Sequence, residues 1–295
     1  MFFLYKIRGE FFALLSALMW AYASILFKGL SGKVSPISIN LGKGIIAFIF
    51  LWVAVILNGT GVVTGHTFLF LGLSGLLGIT LGDTFYFMAL MRLGPRLVLI
   101  LSTLIPVVAV LGSILVFHEE MSLIRWMGVI LTLAGVAWVL WLETPAGKHL
   151  ESWRAGIKYG ILSVACCSSA IIFSKIAVET TSALTATFIR QGWALAGLFL
   201  LGTIGFRLKS WLSPLVKVSN LKKLLFASFI GAFLGTWFCL LGLKYAHASI
   251  ATTLNATSPI FVLPLTFLIL KEKITFQAVM GCIIAVTGVA LIFLG

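Results

Sequence analysis

The sequence has very few charged residues. Only ten per cent of its 295 residues are Asp, Glu, Lys or Arg, whereas a soluble globular chain has roughly 25%. Sixty-one per cent are hydrophobic, so the chain cannot cover itself with enough polar surface to be soluble in water. The shortage of charge excludes a soluble protein and predicts an integral membrane protein.

Acidic residues, histidine and cysteine are also scarce. The four cysteines lie inside apolar segments without the spacing of metal ligands, so we predict no metal site and no cofactor. The four histidines are scattered through different loops and helix ends. An integral-membrane enzyme needs such groups clustered near one interface, so we expect a protein that is not an enzyme. No Gly-x(4)-Gly-Lys-Ser/Thr motif occurs, which argues against ATP hydrolysis by this chain.

Basic residues outnumber acidic ones, and the formal net charge is +13. In a soluble protein this excess would suggest a nucleic-acid partner. Here the Lys and Arg residues cluster in loops beside apolar segments, where anionic lipid headgroups and topology signals account for them. We therefore expect membrane lipids, and no nucleic acid, as partners.

Long apolar runs are what the sequence has in abundance. A hydrocarbon core of about 30 Å needs about 20 helical residues, and a helix satisfies its own backbone groups in lipid. We predict an all-α integral membrane protein with ten transmembrane helices. The predicted spans are residues 10–30, 36–57, 67–90, 96–117, 123–142, 155–177, 184–205, 224–245, 249–270 and 275–294.

The sequence also contains an internal repeat. Residues 81–142 align with residues 234–295 at a constant offset of 153, without a gap, and 14 of the 62 pairs are identical. The identities include Gly82, Pro106 and Glu119, residue types that an apolar composition alone does not favour. The chain is therefore predicted to consist of two related halves.

The two halves are predicted to be residues 1–146 and residues 147–295, joined by the stretch Glu143–Trp153. Five helices in each half is an odd number, so the second half must insert upside down relative to the first. This predicts an inverted repeat around a central cavity, the plan of a secondary transporter that works by alternating access.

Several motifs resemble the EamA-type repeat of the drug/metabolite transporter superfamily. In both halves a proline lies in the fourth helix, a Glu follows that helix, and a Gly-x(6)-Gly pattern runs through the fifth helix. The glycines are Gly128, Gly135, Gly281 and Gly288. The segments around Trp20 and Lys28 and around Arg190 are similar to the family's first and second helices. Lys43 departs from the pattern, because Arg is common there.

The resemblance implies ten helices, a central cavity between inverted five-helix repeats and transport of a small-molecule substrate. It also implies cytoplasmic termini. The positive-inside rule predicts the opposite, because most Lys and Arg residues are in the odd-numbered loops. The orientation therefore stays open. We expect a multi-pass protein of the cell membrane, either a monomer or a homodimer, with a coupling proton or ion as a further candidate partner.

Ionisable residues at membrane depth are costly and mark candidate sites. Asp83 lies well inside the third helix, either held by a Lys or Arg for packing or acting as a coupling site for a proton or cation. Lys43 and Arg190 correspond in the second helix of each half. Lys28 and Lys175 end the first helix of each half, and either extend to headgroups or stand at the cavity rim. This excess of cations favours an anionic or zwitterionic substrate.

Two mid-span prolines add candidate polar contacts. Pro106 and Pro259 are equivalent, and each follows a polar residue, Ser102 or Asn255, by four positions. A helix proline leaves the carbonyl four residues earlier without its partner, so these carbonyls and side chains either contact substrate or mark only a kink. The candidate cavity residues are Trp20, Lys43, Asp83, Tyr86, Ser102, Pro106, Arg190, Trp237, Asn255 and Pro259.

We predict a secondary transporter that exports a small metabolite, such as an amino acid or a related anionic or zwitterionic solute. The alternative is an exporter of lipophilic cations or drugs that is coupled through Asp83. An integral-membrane enzyme and a channel are weaker alternatives.

Overall fold

The computed structural model of the chain describes residues 8–117, 122–145, 147, 149–178, 181–246, 248–272 and 274–294. It leaves undescribed the side chains of residues 113–117, 175, 176, 178, 218, 219, 248, 249, 252, 293 and 294. The described chain is all-helical, with no strand. The predicted all-α class is confirmed.

The first half of the sequence begins with long helices. The helices are α1 (Arg8–Lys28), α2 (Pro36–Asn58), α3 (Gly65–Ser74), α4 (Asp83–Ser102), α5 (Leu104–Phe117) and α6 (Leu123–Leu142). A π-helical segment, Gly75–Gly82, joins α3 to α4. We call it the first π segment.

The second half follows the same order with more interruptions. Its helices are α7 (His149–Val178), α8 (Ala183–Ile204), α9 (Leu208–Leu212), α10 (Val218–Ala227), α11 (Thr236–Tyr245), α12 (Ala248–Asn255), α13 (Ser258–Leu265) and α14 (Phe276–Leu294). A 3₁₀ turn, Ser213–Val216, follows α9, and a π-helical segment, Thr266–Leu270, follows α13. The second π segment, Ser228–Gly235, joins α10 to α11.

Eight helical stretches in the described residues, not ten, are long and apolar enough to cross a membrane, and Phe276–Ile292 is a shorter apolar helix. One of the two missing spans is this shorter helix, and the other is lost where two predicted spans run together. The stretch Gly65–Ser102 has 38 residues and covers the third predicted span and the start of the fourth. It is broken at Gly94, whose φ of 82° and ψ of 169° are not helical. Glycine adopts this positive φ without strain, and Pro95 starts the next helical turn.

Serine residues define where helices begin. The Ser35 hydroxyl accepts a hydrogen bond from the Ser38 amide at 3.2 Å, next to Pro36 in the first turn of α2. At the equivalent position in the second half, the Ser182 hydroxyl accepts from the Thr185 amide at 3.1 Å and caps α8. These caps satisfy N–H groups that a helix start leaves without intrahelical partners.

Helices α6 and α14 pack closely and run antiparallel. A Cβ atom at Gly128 would lie 2.7 Å from the Gly288 carbonyl oxygen, and one at Gly135 would lie 2.8 Å from the Gly281 carbonyl oxygen. At the centre of the contact the Thr132 hydroxyl donates to the Ala285 carbonyl oxygen at 3.4 Å, across a separation of 153 residues. The glycines therefore serve helix packing between the two halves.

The first helix of each half packs against the other half. Ser16 of α1 donates a hydrogen bond to the Gly235 carbonyl oxygen at 2.8 Å, and α1 lies along α11. Ser74 of α3 donates to the Ala170 carbonyl oxygen of α7 at 2.7 Å, and α7 lies along α4. The two sequence repeats are thus interleaved in space.

Candidate functional site

The two π segments occupy equivalent positions, since Gly75–Gly82 and Ser228–Gly235 are related by the offset of 153. Each ends one residue before the candidate position, which is Asp83 in the first half and Thr236 in the second. A π turn changes the backbone hydrogen-bond register, and such turns are frequent at functional sites.

A fully buried amide stabilises the first π segment. The Asn40 side-chain nitrogen donates to the Ile79 carbonyl oxygen at 2.8 Å and to the Thr84 hydroxyl at 2.9 Å. The Thr84 hydroxyl in turn donates to the Thr80 carbonyl oxygen at 2.6 Å. This network holds the backbone just before and after Asp83 in a defined position.

Asp83 forms an ion pair with Lys43 of α2. Lys43 is buried, while the Asp83 side chain is 27% exposed. The ammonium also lies 5.2 Å from the centre of the Phe87 ring, within the range of a cation–π contact. In this conformation each charge compensates the other, which reduces the cost of holding both at membrane depth.

Arg190 of α8 is the counterpart of Lys43, but its surroundings are different. Its Nε atom is buried and has no hydrogen-bond partner in the part of the chain that the structure describes. The guanidinium is close enough to Asp83, Cys167 and Cys239 to interact with them electrostatically. The only salt bridges among described residues are Lys43–Asp83 and Arg96–Glu143, so Arg190 is without a carboxylate of its own there.

Lys43 and Arg190 lie beside a contact between equivalent residues of the two repeats. The Gln191 side chain donates to the Gly44 carbonyl oxygen at 3.4 Å, and these two residues are equivalent at the offset of 147. A residue can contact its own equivalent only near the axis that relates the two copies. Phe48 and Phe188 stack beside this crossing with ring centres 4.9 Å apart. The two cations are therefore brought to the middle of the molecule from opposite halves.

Cys239 and Asn255 extend the site on the second-half side. The Asn255 side-chain nitrogen lies 3.4 Å from the Cys239 sulfur, and its Oδ1 is buried without a hydrogen-bond partner among described residues. Cys239 lies on α11, which packs against α8, the helix that carries Arg190. We call Arg190, Cys239 and Asn255 the Arg190 cluster. Within this cluster the N–H groups of the Arg190 guanidinium are the charged donors that a carboxylate or phosphate ligand requires, and the Nε of Arg190 is buried.

The candidate aromatic residues separate into two places. Tyr86 interacts with Ser24 and packs on an apolar cluster that includes Ile25 and Val262. Trp20 lies against the second π segment, because a Cβ atom at Gly235 would be 2.9 Å from its Cδ1 atom.

Trp237 instead joins an aromatic cluster. Its ring centre is 5.7 Å from that of Phe233 and 6.1 Å from that of Phe238. Phe233 also stacks with Phe50 of α2. This tryptophan packs mainly against other rings.

The two prolines lie at helix starts. Pro106 is the third residue of α5 and Pro259 the second residue of α13, each just after a break. The expected continuous helices are interrupted because proline fits the first turn of a helix, where no N–H is needed. The Asn255 carbonyl oxygen accepts a hydrogen bond from the Ser258 hydroxyl at 2.8 Å, while the Ser102 hydroxyl donates to the Val98 carbonyl oxygen at 2.9 Å.

Of the two lysines at helix ends, Lys28 and Lys175, the structure describes the side chain of Lys28 alone. The Lys28 ammonium donates to the carbonyl oxygens of Met91 at 2.7 Å and Leu90 at 3.2 Å, so it caps the helical turn that precedes the break at Gly94. The side chain of Lys175 lies outside the described residues.

The residues that the sequence interpretation missed are Asn40, Cys167 and Cys239. A signal for Cys239 was present, because the offset of 153 aligns it with Tyr86. Asn40 and Cys167 had none, since only the fold brings them to the first π segment. Within the described residues, no three His, Cys, Asp or Glu side chains come together as potential metal ligands.

The fold and the charged residues buried between its helices define a multi-pass membrane protein. The model of the EamA-like transporter family matches residues 7–141 and again residues 154–294. The chain therefore belongs to the EamA-like transporter family, within the drug/metabolite transporter superfamily, and is a membrane transporter.

Two comparisons extend this assignment. The chain is 25% identical over 285 residues to an uncharacterized transporter of Archaeoglobus fulgidus, with 96% of each chain covered. A protein of known crystal structure aligns with a TM-score of 0.69 over 97% of this chain and 98% of its own, at 18% identity. The structural likeness shows a shared fold.

Proposed function

We propose that this protein is a secondary active transporter that moves a small anionic or zwitterionic metabolite, such as an amino acid or a related solute, out of the cell by alternating access. The observation that carries the proposal is Arg190, whose Nε atom is buried without a hydrogen-bond partner and whose guanidinium forms no salt bridge among the described residues. A bound anion would supply that charge, while Lys43 is already compensated by Asp83.

The proposed scaffold has ten membrane-crossing segments in two inverted halves, residues 1–146 and residues 147–295, around a central cavity in the cell membrane. The break at Gly94 supports dividing the 38-residue stretch into two spans. The antiparallel contact of α6 with α14 supports the inversion, because equivalent helices of inverted halves must run in opposite directions.

The proposed motion is an exchange of conformations between the two halves. Since α1 and α7 pack against the opposite halves, a relative movement of the halves changes the walls of the site on both sides of the axis. The Arg190 cluster binds the anionic group of the substrate, Trp20 and Tyr86 contact the rest of it, and the axis near Gly44 stays at the centre.

The proposed coupling site is Asp83, where a proton or ion would compete with Lys43 for the carboxylate. This supports transport that depends on pH or on a cation gradient. Asp83 is the candidate because it is a carboxylate at membrane depth whose partner, Lys43, is itself charged.

The alternative, export of lipophilic cations through Asp83, is less well supported. A cation at Asp83 would have to displace Lys43 and would also approach Arg190, and like charges repel strongly in an apolar interior. It is therefore an outcome that the following experiment can identify.

A thermal-shift screen of the detergent-purified protein would test the proposal. Wild type and three variants, Arg190→Gln, Arg190→Lys and Arg207→Gln, are screened against amino acids, organic anions and lipophilic cations. A ligand that binds the native state raises the apparent melting temperature by mass action. We expect stabilisation by an anion or zwitterion, lost in Arg190→Gln, partly retained in Arg190→Lys and unchanged in Arg207→Gln, which removes an exposed guanidinium.

Two results would contradict the proposal. One is stabilisation only by lipophilic cations, which would make Asp83 the primary site. The other is an anion shift that Arg190→Gln leaves intact. A ligand that passes this screen is then tested for counterflow in liposomes, where saturable exchange identifies a carrier.

A further inference from the structure

A cavity of about 510 Å³, whose lining shares no residue with the Arg190 cluster, lies where three distant parts of the chain meet. The loop from Ser31 to Pro36 forms one wall, Met91 and Arg92 at the end of a helical turn of α4 form another, and Ser152 of α7 completes it. Each of these parts is at the end of a membrane-crossing stretch or at the break in one. The cavity therefore opens at a membrane surface.

The lining of this cavity has positive charge and hydroxyl groups. Lys33 and Arg92 contribute two cations, and Ser31, Ser35 and Ser152 contribute hydroxyls. None of the described lining residues is a carboxylate. The start of α2 also faces the cavity, and its helix dipole adds a positive potential there. The charges are thus unbalanced within the cavity itself.

The exposed Arg92 side chain has two contacts within the protein before any ligand arrives. The Arg92 guanidinium lies 4.9 Å from the centre of the Tyr159 ring, and its Nη1 donates to the Met88 carbonyl oxygen at 2.9 Å. The Met91 carbonyl oxygen is held by Lys28 at 2.7 Å. A pre-positioned guanidinium retains further N–H donors and loses little entropy when an anion binds.

We propose that this cavity binds a phosphate group, carried either by an anionic phospholipid headgroup or by a small phosphate ester. The phosphate oxygens accept hydrogen bonds from Lys33, Arg92 and the hydroxyls of Ser31 and Ser152, and the rest of the ligand lies toward the membrane surface. The site is separate from the proposed transport path, so it can bind whether or not Arg190 does.

The test uses the purified protein in phosphatidylcholine nanodiscs, with phosphatidylglycerol added to a second set. Binding is followed by native mass spectrometry and by thermal stability. The test variant is Lys33→Gln with Arg92→Gln. The matched control is Lys222→Gln with Lys223→Gln, which removes two exposed charges of α10 outside the cavity. Lys33→Arg with Arg92→Lys keeps the charges and separates charge loss from misfolding.

We expect phosphatidylglycerol to bind wild type, the control and the charge-keeping variant. We expect its affinity for the test variant to be about 25-fold lower, from about fivefold for each charge removed. The second ligand source is examined with glycerol 3-phosphate in phosphatidylcholine alone. Binding of that probe, lost in the test variant, identifies a free phosphate ester; binding of phosphatidylglycerol alone identifies the lipid headgroup.

Either of two results would overturn the proposal. An equal loss of affinity in the test and control variants would show diffuse attraction between a basic surface and an anionic membrane. Unchanged binding of both probes in the test variant would show that the cavity holds no phosphate.

Discussion

Lys43 and Arg190 hold equivalent places in the two halves, yet their neighbours differ. Lys43 faces Asp83, and the residue equivalent to Asp83 is Thr236, which offers a hydroxyl and no charge. Asp83 and Thr236 each follow a π segment, so the two halves share the same backbone geometry at this position but differ in its charge. The difference shows how two related halves can differ in charge, with one cation paired to a carboxylate and one that forms no salt bridge among the described residues.

The largest expected effect comes from introducing, in the second half, a carboxylate equivalent to Asp83. Thr236→Asp should place a carboxylate beside Arg190 and lower the affinity for an anionic ligand about 100-fold, since a charged hydrogen-bonding partner is worth about 3 kcal/mol at most. The affinity is measured by ligand-dependent thermal shift or calorimetry. Thr236→Asn is the neutral control and should stay near wild type. Equal losses of ligand affinity in both variants would show that the shape of the side chain at position 236 matters and its charge does not. The proposed difference in charge between the two halves would then not explain ligand binding.

At the contact between α6 and α14 the halves should instead behave alike. Gly135→Ala and Gly288→Ala each introduce a methyl against the backbone of the opposite helix. Both should lower the free energy of unfolding by about 2 kcal/mol, the cost of overpacking. Gly112→Ala is the control, because among described residues its Cβ would meet only the Ile172 side chain, at 3.9 Å. Denaturation in mixed micelles gives the three values, and a large difference between the two test variants would contradict a shared axis.

Removing the acid of the first half tests the ion pair. Asp83→Asn leaves the Lys43 charge buried and should lower stability by about 1–2 kcal/mol, less than a fully buried pair because Asp83 is 27% exposed. Lys43→Met with Asp83→Leu removes both charges and should recover most of that loss. The free energy of unfolding of the three proteins forms the test. If the double variant is as unstable as Asp83→Asn, the loss of stability does not come from leaving the Lys43 charge unpaired.

The smallest effect concerns the helix breaks. Ser258→Ala removes the hydroxyl that satisfies the Asn255 carbonyl oxygen and should cost about 1 kcal/mol. Ser102→Ala should cost less, because the Ser102 hydroxyl only adds a second bond to a carbonyl inside α4. The thermal stabilities of the two variants are compared. Equal losses of stability would mean that the Ser258 hydroxyl stabilises the helix break of the second half no more than Ser102 stabilises that of the first.

The sequence by itself determined the membrane class, the all-α fold, the repeat at an offset of 153 and the family. These follow from composition and from patterns along the chain, which can be recognised without knowing the tertiary contacts. The glycines of α6 and α14 were also recognisable, since small residues at helical spacing indicate close packing. The equivalence of Lys43 and Arg190 came from the same alignment.

Only the tertiary structure decided which groups meet. Asp83 could have paired with any basic residue, and its pairing with Lys43 depends on how α2 packs against α4. The π segments themselves leave little trace in the sequence, because their apolar residues fit an α-helix equally well. The crossing of α1 and α7 to the opposite halves was likewise hidden. In lipid, helices are apolar on most faces, so hydrophobic patterning does not say which face meets which neighbour, and small residues and buried hydrogen bonds make that choice.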